Sequence, residues 1–261
     1  MNSISIKKDY FNKIRLINKY NKFYYNESSP IVSDEEYDLL KRDILNIEKK
    51  YPNIISKESP SLNVGFKPSK NFKKIKHKIS MLSLSNAFDE KDLKNFEKKI
   101  FNFLSLKENY QIEYSTEPKI DGISASLTYK KGILIAGLSR GDGIEGEDIT
   151  ENIKTIKDIP KQIKSNDFPN EIDIRGEVFI SKNDFKKINE KFANARNAAS
   201  GSLRQKNPEE TKKIPLKFIA YTFGHIDKNN ITTQSDFLFS LKSWGFKTSQ
   251  YNKTIKGTKN L

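Results

Sequence analysis

The sequence has 261 residues, no cysteine, two histidines and a formal net charge of +14 at pH 7. The lack of cysteine excludes disulfides, cysteine-ligated zinc, iron–sulfur clusters and a cysteine nucleophile, and two histidines argue against a multi-histidine metal site. Because there is no run of about 18 apolar residues and no apolar N-terminal signal, we expect a cytoplasmic protein with no membrane association.

The basic residues comprise 41 lysines and six arginines. A lysine excess of this kind is partly the product of an AT-rich coding sequence, so the charge alone leaves nucleic-acid contact open. Four arginines fall within residues 140–204, and a guanidinium offers a planar fork for phosphate or carboxylate that lysine lacks. The alternative interpretation is that these arginines form surface or structural ion pairs.

The N-terminal part of the chain has the pattern of a helical hairpin. Apolar residues spaced by three and four predict a helix over residues 7 to about 25, with Tyr10, Ile14, Ile17 and Tyr20 on one face. Ser33 and Glu36 form a predicted capping box that opens a second helix. The apolar face of that helix is predicted to consist of Tyr37, Leu40, Ile44 and Ile47. A coil rich in serine and proline follows and places a domain boundary near residue 70.

Beyond residue 70 the pattern is strand-like, with helices between the strands. Short turns between alternating segments favour antiparallel pairing, so we predict an α+β domain. The predicted strands are residues 112–116, 123–129, 133–139, 172–180 and 216–224, and the predicted helices are residues 89–103 and 182–191.

A candidate nucleophile lies in the segment E-P-K-I-D-G at residues 117–122. Rigid sheet on either side would hold Lys119 in place, and Gly122 would permit close approach of the backbone to a ligand. The pattern K-x-D-G is weak by itself, and the alternative is a lysine at a hairpin end. A glycine-rich loop with Arg140, a mid-strand Glu177 and a small-residue segment with two arginines at 194–205 strengthen the functional interpretation.

The order of these motifs resembles one family. The segments E-P-K-I-D-G, S-R-G-D-G-x-x-G-E-D-I-T-x-N, R-G-E-V-F and F-A-N-A-R-N-A-A-S-G-S-L-R-Q closely resemble the adenylation domain of bacterial NAD-dependent DNA ligases, and M-L-S-L-S-N after His77 extends the match. The similarity covers roughly residues 5–250. It implies a helical module at 1–70 that binds nicotinamide mononucleotide (NMN), followed at 71–261 by an antiparallel-sheet nucleotidyltransferase domain of the ATP-grasp-like DNA ligase type.

The resemblance also implies an activity and a site. Lys119 would attack the α-phosphorus of NAD to form lysyl-AMP and release NMN, as the first step of nick sealing in DNA replication and repair. Mg²⁺ would assist, near Asp121 and Glu177. The implied residues that bind NAD are Tyr24, Tyr25, Asp34, Glu35, Glu36, Tyr37, Asp38, Ser83, Leu84, Glu117, Asp121, Gly122, Arg140, Glu177, Arg196 and Arg204.

The sequence departs from the family pattern near its end. The later pocket lysines of the family, in D-G-V-V-x-K and K-F segments, do not occur, and neither does its four-cysteine zinc module. We therefore expect a partial adenylation domain without zinc. We also expect that contact with nicked duplex DNA belongs to a full-length ligase.

Two alternatives stay open at this point. An ATP-dependent ligase or capping-type nucleotidyltransferase shares the K-x-D-G core, although the tyrosine- and aspartate-bearing helical module argues against it because ATP has no nicotinamide to grip. A non-catalytic nucleotide-binding fragment is the second alternative. Intact Lys119, Arg140 and Glu177 weigh against it, and the missing terminal lysines keep it open.

Overall fold

The computed structural model describes residues 3–25, 31–62, 72–107, 109–188, 192–228 and 231–258. Within these ranges a helical hairpin precedes a mixed α/β unit whose paired strands are antiparallel. The expected combination of helices with antiparallel sheets is therefore confirmed. Among the helices in these ranges, none is both long enough and apolar enough to cross a membrane.

The hairpin consists of α1 (Ser3–Tyr25) and α2 (Asp34–Lys50). The predicted capping box is present: the Glu36 backbone N–H donates to Ser33 Oγ at 3.2 Å, and the Ser33 N–H donates to Glu36 Oε2 at 3.1 Å. The predicted apolar faces meet between the helices, where the fully buried side chains are Tyr10, Ile14, Ile17 and Ile44. The helix register derived from spacing is thus confirmed.

A buried polar network fastens the following coil to the hairpin. The Glu48 carboxylate accepts hydrogen bonds from the Tyr10 hydroxyl at 2.7 Å and from Ser59 Oγ at 2.5 Å. The Ser56 backbone N–H donates to Tyr10 Oη at 2.8 Å. Because the carboxylate is almost fully buried, both donors are needed to offset the loss of its hydration. The sequence did not predict this network.

The remaining elements form three small sheets and six helices within the described residues. In chain order they are β1 (Lys74–Lys76), α3 (Glu90–Leu104), β2 (Glu113–Thr116), β3 (Ile123–Lys130), β4 (Ile133–Ser139), β5 (Glu145–Glu147), α4 (Thr150–Ile153), β6 (Glu171–Phe179), α5 (Lys182–Phe185), α6 (Ala195–Leu203), α7 (Pro208–Lys212), β7 (Lys217–Ile226), α8 (Gln234–Ser243) and β8 (Lys253–Lys256). The largest sheet has the order β4-β3-β6-β7, while β1 pairs with β5 and β2 pairs with β8.

One face of the four-stranded sheet forms the main core. Alternate residues of its strands point to this face, which is the period-2 pattern of a strand. The core residues of the central strands are Ala125, Leu127, Tyr129, Ile172, Ile174 and Val178. Trp244, which follows α8 and is 5% exposed, packs edge-on against Phe168 with ring centroids 4.8 Å apart. The single tryptophan therefore reports on this core.

The opposite face of the sheet is polar and also largely buried. Ser124, Ser126 and Thr128 on β3 lie beside Glu177, Arg175 and Asp173 on β6, in that order. Thr128 Oγ1 donates to Asp173 Oδ1 at 2.6 Å. A stretch without helix or strand, residues 77–84, is hydrogen-bonded to this part of the molecule and is called the strap below.

The structure corrects several predicted elements. The helix expected at 182–191 spans only Lys182–Phe185 and is followed by turns to residue 188, while residues 189–191 lie outside the described ranges. The predicted strand at 112–116 pairs with Lys253–Lys256, a strand that was not predicted. Residues 195–203 form a helix capped by Asn194, whose Oδ1 accepts from the Asn197 N–H at 2.7 Å. The cap was readable in the sequence as Asn before a small-residue run.

Candidate active site

Lys119 lies in the loop between β2 and β3. Both Lys119 and Asp121 are exposed there, with 72% of the Asp121 side chain accessible. A Cβ atom added to Gly122 would lie 2.3 Å from the Val178 carbonyl oxygen and 2.9 Å from Glu177 Cγ. The glycine is thus required by the neighbouring strand β6. The expected close approach of this backbone to a ligand stays a prediction.

Glu177 on β6 is the buried carboxylate beside this loop, with 9% of the residue exposed. Ser124 Oγ donates to its Oε2 at 2.9 Å. Burial raises the pKa of Glu177 to about 7, although the Ser124 hydrogen bond and the charges of Arg196 and Lys119 act in the opposite direction. Near neutral pH the carboxyl is therefore poised between its two protonation states, close to the lysine.

Three arginines named from the sequence meet at one cleft. Arg140, Arg196 and Arg204 line it together with Ser124 and Ser200. Arg140 follows β4, Arg196 lies on α6 and Arg204 is the C-cap of α6, the helix that packs against β3 and β6. Three guanidiniums around one cleft provide several donors and positive charge for a polyanion.

Protein contacts hold Arg196 and Arg204 in place before any ligand binds. Arg196 Nη1 lies 3.1 Å from Asp121 Oδ1, which links α6 to the loop that carries the lysine. Arg204 donates from Nε to the buried Glu147 carboxylate at 2.7 Å and from Nη1 to Ser200 Oγ at 2.8 Å. Such contacts reduce the conformational entropy lost when an anion is bound.

The strap meets the cleft at Arg140. The guanidinium donates from Nε to the Met81 carbonyl at 3.3 Å and from Nη2 to Ser83 Oγ at 2.8 Å. Ser83, named from the sequence, therefore lies beside the cleft, and Leu84, also named from the sequence, follows it on the strap. The Leu84 residue is 75% exposed.

The acidic residues of the glycine-rich loop have structural partners. Asp142 Oδ1 accepts the N–H groups of Ile144 at 2.9 Å and Glu145 at 2.8 Å, and Asp148 Oδ1 accepts from the Thr150 hydroxyl at 2.5 Å. Across the described ranges, no group of three or more His, Cys, Asp or Glu side chains is placed to hold a metal ion. The chain as described does not preassemble a metal site from protein ligands alone.

Sequence reasoning missed two residues that interact with predicted site residues, Gln234 with Glu117 and Tyr221 with Glu177. Gln234 Nε2 donates to Glu117 Oε1 at 2.7 Å and to the Tyr221 carbonyl at 2.6 Å, and burial raises the pKa of Glu117. Burial, followed by the nearby charge of Glu177, raises the pKa of the half-buried Tyr221 hydroxyl. Tyr221 could have been found from strand alternation, because it falls on the face opposite the buried Phe218.

The hairpin residues that the sequence predicted to bind NMN lie on or at the ends of α1 and α2. Tyr24 and Tyr25 end α1 and Asp34 begins α2, but their side chains lie outside the described part of the chain. Glu35 is exposed, Glu36 is engaged in the capping box, and Asp38 is half-buried. The Tyr37 hydroxyl donates to Asn21 Oδ1 at 2.8 Å, across the two helices.

A contact joins this hairpin to the α/β unit. The guanidinium carbon of Arg42 lies 4.9 Å from the centroid of the Phe88 ring. Phe88 follows the strap and precedes α3 in the chain. The contact has cation–π geometry, which contributes about 0.5–1 kcal/mol at an exposed position.

An exposed lysine beside a buried carboxylate and an arginine-lined cleft provides what phosphate-transfer chemistry with a lysine nucleophile requires. The chain belongs to the NAD-dependent DNA ligase family: the family described as "NAD-dependent DNA ligase adenylation domain" matches residues 69–261, and "DNA ligase-like, N-terminal NAD+-binding domain" matches residues 4–65.

Curated relatives agree with this assignment. The chain is 65% identical over 261 residues to a protein named "DNA ligase" from Pelagibacter ubique, covering all of this chain and 39% of that protein. It is 46% identical over 238 residues to a "DNA ligase" from Parvibaculum lavamentivorans, covering 88% of this chain and 34% of that protein. A "DNA ligase" from Rickettsia bellii is 45% identical over 253 residues, 94% of this chain and 36% of its own length. The chain thus spans little more than a third of the length of these relatives.

Proposed function

We propose that this chain carries out lysine adenylation with NAD as the AMP donor, the first step of NAD-dependent DNA ligation. Lys119 Nζ, in its deprotonated form, attacks the α-phosphorus of NAD. A P–N bond forms, the P–O bond to NMN breaks, and NMN leaves with the electron pair of that bond. The observation that carries the proposal is that three arginines line one cleft, while Glu177 accepts a hydrogen bond from Ser124 of that cleft and feels the charges of Arg196 and Lys119.

The residues at the cleft suit the charges that this reaction creates. Arg140, Arg196 and Arg204 hold the pyrophosphate and the negative charge that develops as NMN leaves. Glu177, with a pKa of about 7, is suited to accept a hydrogen bond from a ribose hydroxyl or to take up the proton lost by Lys119. Glu117, supported by Gln234, accepts from the adenine amino group.

The domain assignment and the NMN end of the site are part of the same proposal. Residues 1–70 form the NMN-binding module and residues 71–261 the adenylation domain, of the ATP-grasp-like ligase type. Tyr24, Tyr25 and Tyr37 are the proposed contacts of the cationic nicotinamide ring, and Asp34 and Asp38 supply ribose contacts and countercharge. Glu35 and Glu36 complete the proposed NMN-binding residues. The two family matches, one to each part of the chain, support this division.

Mg²⁺, DNA and cellular location stay predictions. Mg²⁺ usually binds through one or two carboxylates plus substrate phosphates. Asp121 pairs with Arg196 and Glu177 accepts from Ser124, and both of these partners line the cleft. The ion would neutralise phosphate charge. Nicked duplex DNA is the expected second substrate of a full-length ligase in the cytoplasm, in replication and repair.

The comparisons favour this function over the alternatives. Both matching families are of the NAD-binding ligase type, which does not support an ATP-dependent ligase or capping enzyme. A non-catalytic fragment receives no support either, because the relatives carry the name of an enzyme.

Intact mass spectrometry of the purified chain tests the proposal. We expect a mass increase of one AMP after incubation with NAD and Mg²⁺, no increase with ATP, and no increase for Lys119→Ala with either donor. Lys107→Ala, at another exposed lysine, is the matched control and should be adenylated as wild type. An adduct formed with ATP alone, or an adduct that persists in Lys119→Ala, would show that the proposal is wrong.

A further inference from the structure

Arg175 is one of the four arginines within residues 140–204, and it is not among the residues that line the cleft. It lies on β6 opposite Ser126 of β3, on the polar face of the sheet, and is only 9% exposed. Its guanidinium donates from Nη1 to the Ser80 carbonyl at 3.2 Å and from Nη2 to the Ile79 carbonyl. Two consecutive carbonyls of the strap are therefore held by one buried fork of donors.

A glycine of β7 lies against this guanidinium. A Cβ atom added to Gly224 on β7 would lie 2.8 Å from Nη2, 2.9 Å from Nε and 3.0 Å from Cζ of Arg175. Any side chain at position 224 would thus displace the guanidinium of Arg175. The planar guanidinium of Arg175 therefore fits its place because residue 224 has no Cβ atom.

Other contacts make the strap a fixed structure on the polar face. The His77 backbone N–H donates to the Ile144 carbonyl at 2.9 Å, and the Met81 N–H donates to the Gly143 carbonyl at 2.8 Å. The buried His77 ring lies with Nε2 3.1 Å from the Arg140 carbonyl oxygen. Burial lowers the pKa of His77, so the ring is neutral near pH 7 and its Nε2–H donates to this carbonyl.

The strap in turn sets the direction of the Arg140 guanidinium. Its Nε and Nη2 groups donate to Met81 O and Ser83 Oγ, which lie one and three residues beyond the Ser80 carbonyl held by Arg175. A shift of the strap at Ser80 would carry both acceptors with it. The guanidinium of Arg140 would then no longer be directed into the cleft.

We propose that Arg175, seated against Gly224, is a positioning residue that fixes the strap and through it orients Arg140 for the phosphates of NAD. This inference rests on the proposed function. Lysine cannot replace Arg175, because a single ammonium on a flexible stem does not offer parallel donors to two consecutive carbonyls.

The first test measures adenylation in single turnovers at varied NAD, by quench and intact mass. We expect Arg175→Lys and Gly224→Ala each to lower the rate constant at saturating NAD by about tenfold or more, with a smaller change in the half-saturating NAD concentration. When Arg140 is already replaced by alanine, the additional Arg175→Lys substitution should lower the rate constant by less than about twofold. Arg15→Lys, on an exposed position of α1, is the matched control and should leave the rate unchanged. Independent, additive losses at Arg175 and Arg140 would overturn the proposal.

The second test does not depend on adenylation. Amide hydrogen exchange of the strap should accelerate by about tenfold or more in Arg175→Lys and in Gly224→Ala, while the exchange of α1 and α2 stays as in wild type. Unchanged exchange of the His77 and Met81 amides in both variants would overturn the proposal. If the wild-type chain forms no adduct, the proposed function fails, and strap exchange still decides whether Arg175 and Gly224 fix the strap. Trp244 fluorescence verifies that each variant is folded.

Discussion

Replacing Glu177 with glutamine tests whether the burial of this carboxyl lowers the folding stability of the protein when the group is ionised. The carboxyl is 9% exposed, and burial raises its pKa to about 7 from an ordinary value of 4.5. Since one pKa unit corresponds to about 1.4 kcal/mol, ionising Glu177 costs the folded state about 3 kcal/mol more than it costs the unfolded chain. Glutamine keeps the shape and can still accept the Ser124 hydrogen bond, but it carries no charge.

The pH dependence has a definite sign. A carboxyl with a raised pKa keeps its proton in the folded protein after the unfolded chain has lost it, so folding stability from this group is fully present below pH 4.5. That stability is lost as the pH rises through 7. We therefore expect Glu177→Gln to match wild type near pH 4.5 and to exceed it by up to about 3 kcal/mol at about pH 8.5.

Urea denaturation followed by Trp244 fluorescence measures this difference at each pH. The tryptophan is the single one in the chain and lies in the core on the other face of the same sheet, so its signal follows the relevant unit. Glu209→Gln is the matched control, because Glu209 is exposed and pairs with Lys212 at the surface. A difference between wild type and Glu177→Gln that does not grow with pH, or an equal trend in Glu209→Gln, would refute the reasoning.

Three further substitutions have expected effects on stability. Gly176→Ala should destabilise the sheet by more than about 2 kcal/mol in urea titrations, because the new Cβ would lie 2.2 Å from Phe218 Cζ; stability within about 0.5 kcal/mol of wild type would contradict this packing. Ser33→Ala should lower helix stability by about 1 kcal/mol, seen as a lower melting temperature by circular dichroism, through loss of the cap; an unchanged melting curve would argue against it. Glu48→Ala should leave the Tyr10 hydroxyl without its buried acceptor and destabilise the hairpin by about 2 kcal/mol, and faster amide exchange confined to α1 and α2 should reveal it.

Much of the secondary structure could be predicted from local pattern. The hairpin helices follow from apolar spacing and from the Ser33 capping box, and the β3–β4 hairpin follows from two alternating segments around a turn at residues 130–132. These signals involve residues only a few positions apart. Short spans are sufficient because helix and strand periods repeat within them.

The pairing of segments that are distant in the sequence could not be predicted from such local patterns. Strand β2 pairs with β8, and Thr116 Oγ1 donates to the carbonyl of Lys253, 137 positions away. Likewise, the helix over residues 195–203 has few apolar side chains, and its small residues become core residues only by packing against β3 and β6. Whether a short segment pairs or packs depends on partners elsewhere in the chain.

The candidate site divides in the same way. Sequence alone determined which residue types are present, that Lys119 lies between two strands, and that the chain resembles the adenylation domain of the ligase family. Only the tertiary structure decided that Arg140, Arg196 and Arg204 share a cleft while Arg175 holds the strap. The physical reason is that a guanidinium can donate hydrogen bonds to a carboxylate, a carbonyl or a phosphate. The role of each arginine therefore depends on which of these acceptors the fold places within hydrogen-bonding distance.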